Sequence, residues 1–416
     1  METTEISPCP SPDPQPYKHH PLDLSKQQIR LIKLRRGEEG PMQCELRTFD
    51  LDDCPAYLAL SYTWGPPTPL FEIVMETGKV LTIRENLYRF LQQFLAQGLE
   101  HDGSGGEPPQ YLWIDQISIN QSSTLERNHQ VSLMSTIYGE AGGVIIWLAS
   151  HADDKGKLVE AAKQFQKIGW DLKSYDTIIS NNYFSRLWVV QEVLLARSIR
   201  VMAQGYTPGW LSWEKLCRQR NISRLYSPAD RLHQAYRFGE SLLESHSLRS
   251  ELRRLDDCIQ VFSANHCENP RDKVYGLMGI VYGQDRIAID YTKSVVDVYI
   301  DVLLVFCKDV DSFGKPPKML EKFAMNLALE MGLESHSLNT LESLLSEAFR
   351  RRSPSYEIIS FGFQPVEDMM QAIASVEDGA EPRTYRWWYD MKNWDNLSIK
   401  RWYFVRGAFE GCCSDY

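Results

Sequence analysis

Three short apolar runs recur along the first half of the chain, each separated from the next by a stretch with helical spacing. This alternation limits the fold more than any other feature. The runs are Tyr57 to Tyr62 (YLALSY), Tyr111 to Asp115 and Val144 to Leu148 (VIIWL), and Ser198 to Met202 could be a fourth strand. Segments of that length that are apolar at successive positions suit strands covered on both faces. Between them, Arg84 to Gln97 sets Leu87, Phe90, Leu91, Phe94 and Leu95 at helical spacing. Ser123 with Glu126 reads as a capping box opening a helix that carries Arg127, Val131, Met134, Tyr138 and Ala141 on one face, and Gly142-Gly143 stops it. Lys157 to Trp170 is a further helix. The expectation is an α/β fold with a Rossmann-like, doubly wound parallel sheet flanked by helices. Two hairpins accompany it, one over Gln28 to Thr48 with its turn at Gly37 to Gly40, the other over Phe71 to Ile83 across Thr77-Gly78.

In such a sheet ligands sit at the carboxyl ends of the strands. Those ends are Ser61 to Gly65, Asp115 to Gln121 and Ala149 to Asp153, whose loops are expected to converge on one crevice. A helix over Tyr183 to Ala196 (YFSRLWVVQEVLLA) could point Glu192 into it. At 3.6 residues per turn Trp188, Glu192 and Leu195 share one face, while Leu187, Val190, Val193 and Leu194 cover the rest, so this helix is mostly buried. A carboxylate there is paired, faces a cleft, or has its pKa raised by desolvation. The plainer reading makes Gln191 and Glu192 a narrow wet stripe on a core helix. Tyr62 or Trp64 could stack on an aromatic ligand, and Asp115 and Asn120 could hydrogen-bond it. Equally, Trp64 could pack in the core, Asp115 cap a loop and Asn120 close a turn.

Composition narrows the classes. Net charge is −10, from 45 Lys and Arg against 55 Asp and Glu, and no basic tract gathers that would neutralise a duplex, so nucleic acid is not an expected partner. The nine cysteines are scattered without a Cys-x-x-Cys pair, which fits a reducing, cytoplasmic setting and neither a disulfide framework nor a zinc site. Val295 to Cys307, the most apolar helical stretch, is too short for a bilayer and contains Asp297 and Asp301. There is neither a G-x-G-x-x-G nor a G-x-x-x-x-G-K-[ST] run, and no cofactor is expected.

At 416 residues the chain suits two or three domains. Residues 1–27 read as a disordered Pro-rich lead, 28–203 as the α/β core, 204–291 as a helical extension and 292–416 as a helical region of unassigned role. Helices are expected over Trp213 to Arg220, Pro228 to Glu244, Leu248 to Ser263 and Val295 to Lys308. The Pro-Arg-Asp of Asn269 to Leu277 can open another.

Five runs in order resemble the fungal heterokaryon incompatibility (HET) domain: YLALSYTWG at Tyr57 to Gly65, LWIDQISINQ at Leu112 to Gln121, ERNHQV with MSTIY at Glu126 to Tyr138, RLWVVQE at Arg186 to Glu192, and NPRDKVYGLMG at Asn269 to Gly279. With the leading IRLIKL the resemblance covers residues 29 to 291. Ser118 stands where the family usually has Cys, so a thiol there is not required. The resemblance implies a part in fungal self/non-self recognition and programmed cell death, with other proteins of an incompatibility system, or further copies of the chain, as partners. HET domains are remotely similar to TIR domains, some of which cleave NAD with a glutamate in a Ser-x-Trp-x-x-x-Glu context. Ser185, Trp188 and Glu192 follow that pattern with one extra residue after Ser185. By that analogy NAD is a substrate and Glu192 the catalytic carboxylate, stabilising an oxocarbenium-like transition state as nicotinamide leaves, with Trp188 among the substrate-binding residues. The competing expectation is a non-catalytic module that oligomerises and recruits a partner. Arg127 and Arg271 are expected to be structural, pairing with carboxylates such as Glu126 or Asp272.

Overall fold

The computed structural model describes residues 15–35, 42–98, 109–150, 155–168, 171–207, 209–226, 234–247, 254–313 and 317–333. The lead up to residue 14, the Gly37 to Gly40 turn and the region after Leu333 lie outside them. The chain divides into two compact units. One takes Met1–Leu60 with Trp64–Arg127, the other Ser61–Thr63 with Asn128–Tyr416.

In the first unit, β1 (Gln28–Arg35) and β2 (Gln43–Asp50) pair antiparallel over their full length, from Gln28 opposite Asp50 to Arg35 opposite Gln43. The run YLALSY forms β3 (Tyr57–Tyr62), buried at every position, as a strand with covered faces must be. Next come β4 (Leu70–Met75) and β5 (Val80–Arg84), an antiparallel hairpin, then α1 (Glu85–Gln97), which buries Leu87, Phe90 and Leu91. After them stand β6 (Tyr111–Trp113) and the single turn α2 (Asp115–Ser118). The strands lie in the order β5-β4-β2-β1-β6-β3.

This arrangement corrects the expected all-parallel sheet. β3 and β6 are parallel, with α1 in the crossover between them, yet β1 lies antiparallel against β6 at Ile32 and Leu112. Both hairpins have joined the sheet rather than decorating it. A strand that leaves through a short turn must return antiparallel, and only the long helical crossover permits parallel pairing. The sheet is therefore mixed.

Residues 15–27, expected to be a disordered lead, are held on the first unit. Tyr17 N donates to Val80 O at 2.7 Å and Val80 N to Gln15 O at 2.9 Å, while His19 Nε2 lies 2.7 Å from Ile117 O. Leu22 is buried.

Helix α3 (Thr124–Glu140) carries the chain into the second unit, where β7 (Gly143–Leu148) is buried throughout. Two helices follow, α4 (Lys155–Ile168) and α5 (Leu172–Ile179). The second of these has no counterpart in the sequence reading. Its signal is Asp171, whose carboxylate accepts from Ser174 N at 3.0 Å as an N-cap. A short helix, α6 (Val189–Leu194), precedes β8 (Ile199–Ala203), which pairs parallel with β7 from Val144 opposite Ile199 to Leu148 opposite Ala203. The two-residue β9 (Leu211–Ser212) closes that side antiparallel. Ile145, Ile146, Trp147, Val201 and Met202 are completely buried, each apolar side chain contributing about 1.5–3 kcal/mol.

Beyond β9 the described chain is helical: α7 (Trp213–Tyr226), α8 (Gln234–Ser247), α9 (Leu255–Phe262), the turn α10 (Asp272–Tyr275), α11 (Val295–Phe313) and α12 (Pro317–Glu330). Among the described residues no helix is long and apolar enough to cross a membrane.

Candidate functional site

The helix expected over Tyr183 to Ala196 is broken in two. A 3-10 turn occupies Asn182–Ser185, and α6 starts only at Val189. The interruption has a cause in hydrogen bonding. Leu187 N donates to His266 O at 2.9 Å and His266 N to Ser185 O at 2.7 Å, so the backbone between the turns is committed to a neighbour distant in sequence. Trp188 becomes the N-cap residue of α6, and Glu192 sits one turn later, with 2% of its surface exposed.

Ser61, near the carboxyl end of β3, is fully buried and its hydroxyl donates to Glu192 Oε2. The hydroxyl of Tyr183, also fully buried, lies 2.6 Å from Ser61 Oγ. Because Ser61 has one hydroxyl proton and gives it to the carboxylate, Tyr183 is the donor in the second bond. Burial, followed by the nearby Glu192 charge, pushes the Tyr183 phenol well above its ordinary 10, which keeps that proton in place. The result is a chain of two hydroxyls ending on a carboxylate. On the same side Arg186 Nη1 donates to Tyr62 O. Of the two readings of Glu192, the wet stripe does not hold: Gln191 and Glu192 are both 2% exposed.

Ser185 is not the hydroxyl of this cluster. Its Oγ donates to Asn182 O at 2.7 Å and closes its own turn. Ser61 is the serine at the carboxylate.

Trp188 is half-buried, and its Nε1 donates to Asp272 Oδ2 at 3.0 Å. The other carboxylate oxygen of Asp272 accepts from Tyr291 OH at 2.6 Å. Arg271, expected to pair with a carboxylate such as Asp272, donates Nη1 to Tyr291 O at 2.5 Å. Glu126, expected beside Arg127, forms a buried two-pronged ion pair with Arg30 at 2.6 and 3.0 Å. It also accepts from Asn120 N at 2.7 Å, so the capping box is only half made, through Glu126 N to Ser123 Oγ at 3.3 Å.

Trp64, Asp115 and Asn120 belong to the first unit, and Tyr62 to the second. Trp64 Nε1 donates to Asp115 Oδ2 at 2.7 Å, and the guanidinium of Arg84 lies 5.0 Å from the indole centroid. Asp115 Oδ1 accepts from Gln116 N at 2.7 Å, and Asn120 Oδ1 accepts from Ser122 Oγ at 2.7 Å, so Asp115 caps its loop and Asn120 closes its turn. Ser118 Oγ accepts from Ile114 N at 3.2 Å, a structural bond within the same loop. Tyr62, at the end of β3, is buried at 1% exposure. Among the described residues no three His, Cys, Asp or Glu side chains come together as a metal would require.

Sequence reasoning missed Ser61, Tyr183 and Asp272 as partners of this helix. A hydroxyl inside an otherwise apolar strand, as in YLALSY, is the signal that could have found the first, because a buried hydroxyl needs a partner.

Comparison with known proteins bears on this region directly. The model of the heterokaryon incompatibility protein (HET) family matches residues 57–192. The match runs from the first residue of β3 to Glu192. Heterokaryon incompatibility protein 6, OR allele, of Neurospora crassa is 26% identical over 350 residues, covering 64% of this chain and 49% of that protein. The chain thus spans about half the length of that curated relative. No solved structure matches. The family match lies on the strand and the helix that form the buried cluster, and over residues 57–192 this chain is similar to the HET domain.

Proposed function

We propose that this chain acts in fungal heterokaryon incompatibility, through its HET domain and in company with other proteins of such a system or with further copies of itself. The observation that carries the reading is the coincidence of the family match, residues 57–192, with the Ser61, Tyr183 and Glu192 cluster at its two ends. The name of the Neurospora relative points the same way. On this reading the outcome of a mismatch is death of the fused cell, and the protein works in the cytoplasm. The test is inducible expression of the full chain in a filamentous fungus, with viable colonies counted against an empty vector. Loss of viability supports the reading, and unchanged growth both alone and after fusion with unlike strains contradicts it.

A second reading concerns chemistry. Burying a carboxylate in an apolar helix costs several kcal/mol unless it is hydrogen-bonded, and here two hydroxyls are spent in series on holding one. That favours a working role for Glu192: cleavage of a glycosidic bond such as that of NAD, in a core of Rossmann or TIR type. Glu192 would stabilise the positive charge that develops on the ribose. At 2% exposure a substrate reaches it only when the residues over it move, so the resting protein would be silent until assembled. Nicotinamide release by wild type at high protein concentration, and its absence in Glu192→Gln, is the expected result. Equal release by both would remove Glu192 from the chemistry.

A further inference from the structure

The polar residues of two motifs and of the helix that leads between them meet on one short stretch. Asn128, on α3, accepts from Tyr291 N at 3.2 Å and donates to Asp290 Oδ1 at 3.4 Å. Tyr275, on α10, donates its hydroxyl to Asp290 O at 2.9 Å, and Arg271 donates to Tyr291 O. Asp272 then links Tyr291 to Trp188, which opens the helix that carries Glu192. Two glycines bring the 272–279 stretch hard against the α6 region. A Cβ on Gly276 would stand 3.3 Å from Leu187, and one on Gly279 would stand 3.2 Å from both Leu195 and Ser135 and 2.5 Å from the tip of Gln191.

From this convergence we infer that Asp272 is a positioning residue for Glu192: it fixes the Trp188 indole, hence the first turn of α6, and Tyr291 holds it in place from the other side. The carboxylate is suited to the task because it offers one acceptor oxygen to each of two donors, an indole N–H at Oδ2 and a phenol O–H at Oδ1. The Asp290 and Tyr291 pair is thereby the point at which the chain entering α11 is tied to the helix of the candidate site. The functional meaning rests on Glu192 being the working residue; the geometry itself can be tested without any activity.

The experiment follows the side-chain carboxyl carbon of Glu192 by NMR of full-length protein labelled at glutamate, the signal assigned by its loss in Glu192→Gln. Its pH midpoint is measured in wild type, Asp272→Asn, Trp188→Phe, the double variant, Tyr291→Phe and Tyr299→Phe. The last removes another buried tyrosine hydroxyl of the same unit, bonded to Ala324 O at 3.1 Å, and controls for general loosening. The expected result is a midpoint shift of about half a unit or more in Asp272→Asn and Trp188→Phe, with the double variant no worse than either single one, and a smaller shift in Tyr291→Phe. Tyr299→Phe leaves the midpoint unchanged. An unmoved Glu192 signal in folded Asp272→Asn and Trp188→Phe overturns the assignment, as does an equal shift in Tyr299→Phe. If instead Glu192→Gln keeps full killing activity, the chemical reading fails while the midpoints still decide the positioning.

Discussion

The hydroxyl of Ser61 donates to the carboxylate of Glu192 across 131 residues of sequence. It ties the end of an all-buried strand to a helix of six residues. Removing it in Ser61→Ala leaves a buried carboxylate short of one donor and also strips Tyr183 of its acceptor. The expected cost is about 1–3 kcal/mol, read as a lower urea midpoint with an unchanged slope. A variant as stable as wild type would mean that the bond contributes nothing to the fold.

Arg30 and Glu126 form a buried pair that also holds Ser118 O, through Arg30 Nη1 at 2.9 Å, and Asn120 N. Arg30→Met strands a charge, and about 3–5 kcal/mol of stability goes with it. Arg30→Met with Glu126→Leu removes both charges, and denaturant titration should find it more stable than the single variant.

Gly239, on α8, packs where a Cβ would come within 2.7 Å of Ile179 Cγ2 and 2.9 Å of the Ile179 carbonyl oxygen. The carbonyl belongs to the end of α5 and cannot swing aside as a side chain could. Gly239→Ala should therefore destabilise by about 1–3 kcal/mol, although alanine favours helix elsewhere. Thermal unfolding of the variant checks the sign.

His19 supplies a pH dependence. Burial is the first cause that holds its pKa below the ordinary 6.5, with the Arg30 charge acting in the same direction and the bond to Ile117 O opposing. The unfolded chain therefore takes up a proton before the folded one does. The stability gained from a neutral His19 is present above 6.5 and is lost as pH falls from there through the folded pKa. His19→Gln should flatten that part of a stability profile measured between pH 7 and pH 5.

The four apolar strands and the helices between them were legible because burial writes itself into local spacing, as in YLALSY and VIIWL. What was not legible depends on partners far off in sequence. Nothing near Tyr183 tells that its hydroxyl meets Ser61, and nothing near Leu187 tells that His266 O will interrupt the helix. The mixed sheet was hidden for the same reason, since each hairpin is local but the pairing of β1 with β6 and of β4 with β2 is not. Of the candidate ligand contacts, Asp115 caps its own loop and also accepts from Trp64, and Asn120 closes its own turn, a role that an asparagine there most often has.

The most direct test of the account is survival after induced expression of the full chain in a filamentous fungus, comparing wild type with Glu192→Gln, which keeps the volume of the side chain and removes its charge. The account predicts that wild type abolishes colony formation and that Glu192→Gln, expressed to the same level, restores it. Killing by Glu192→Gln equal to that of wild type would contradict a working role for the buried carboxylate.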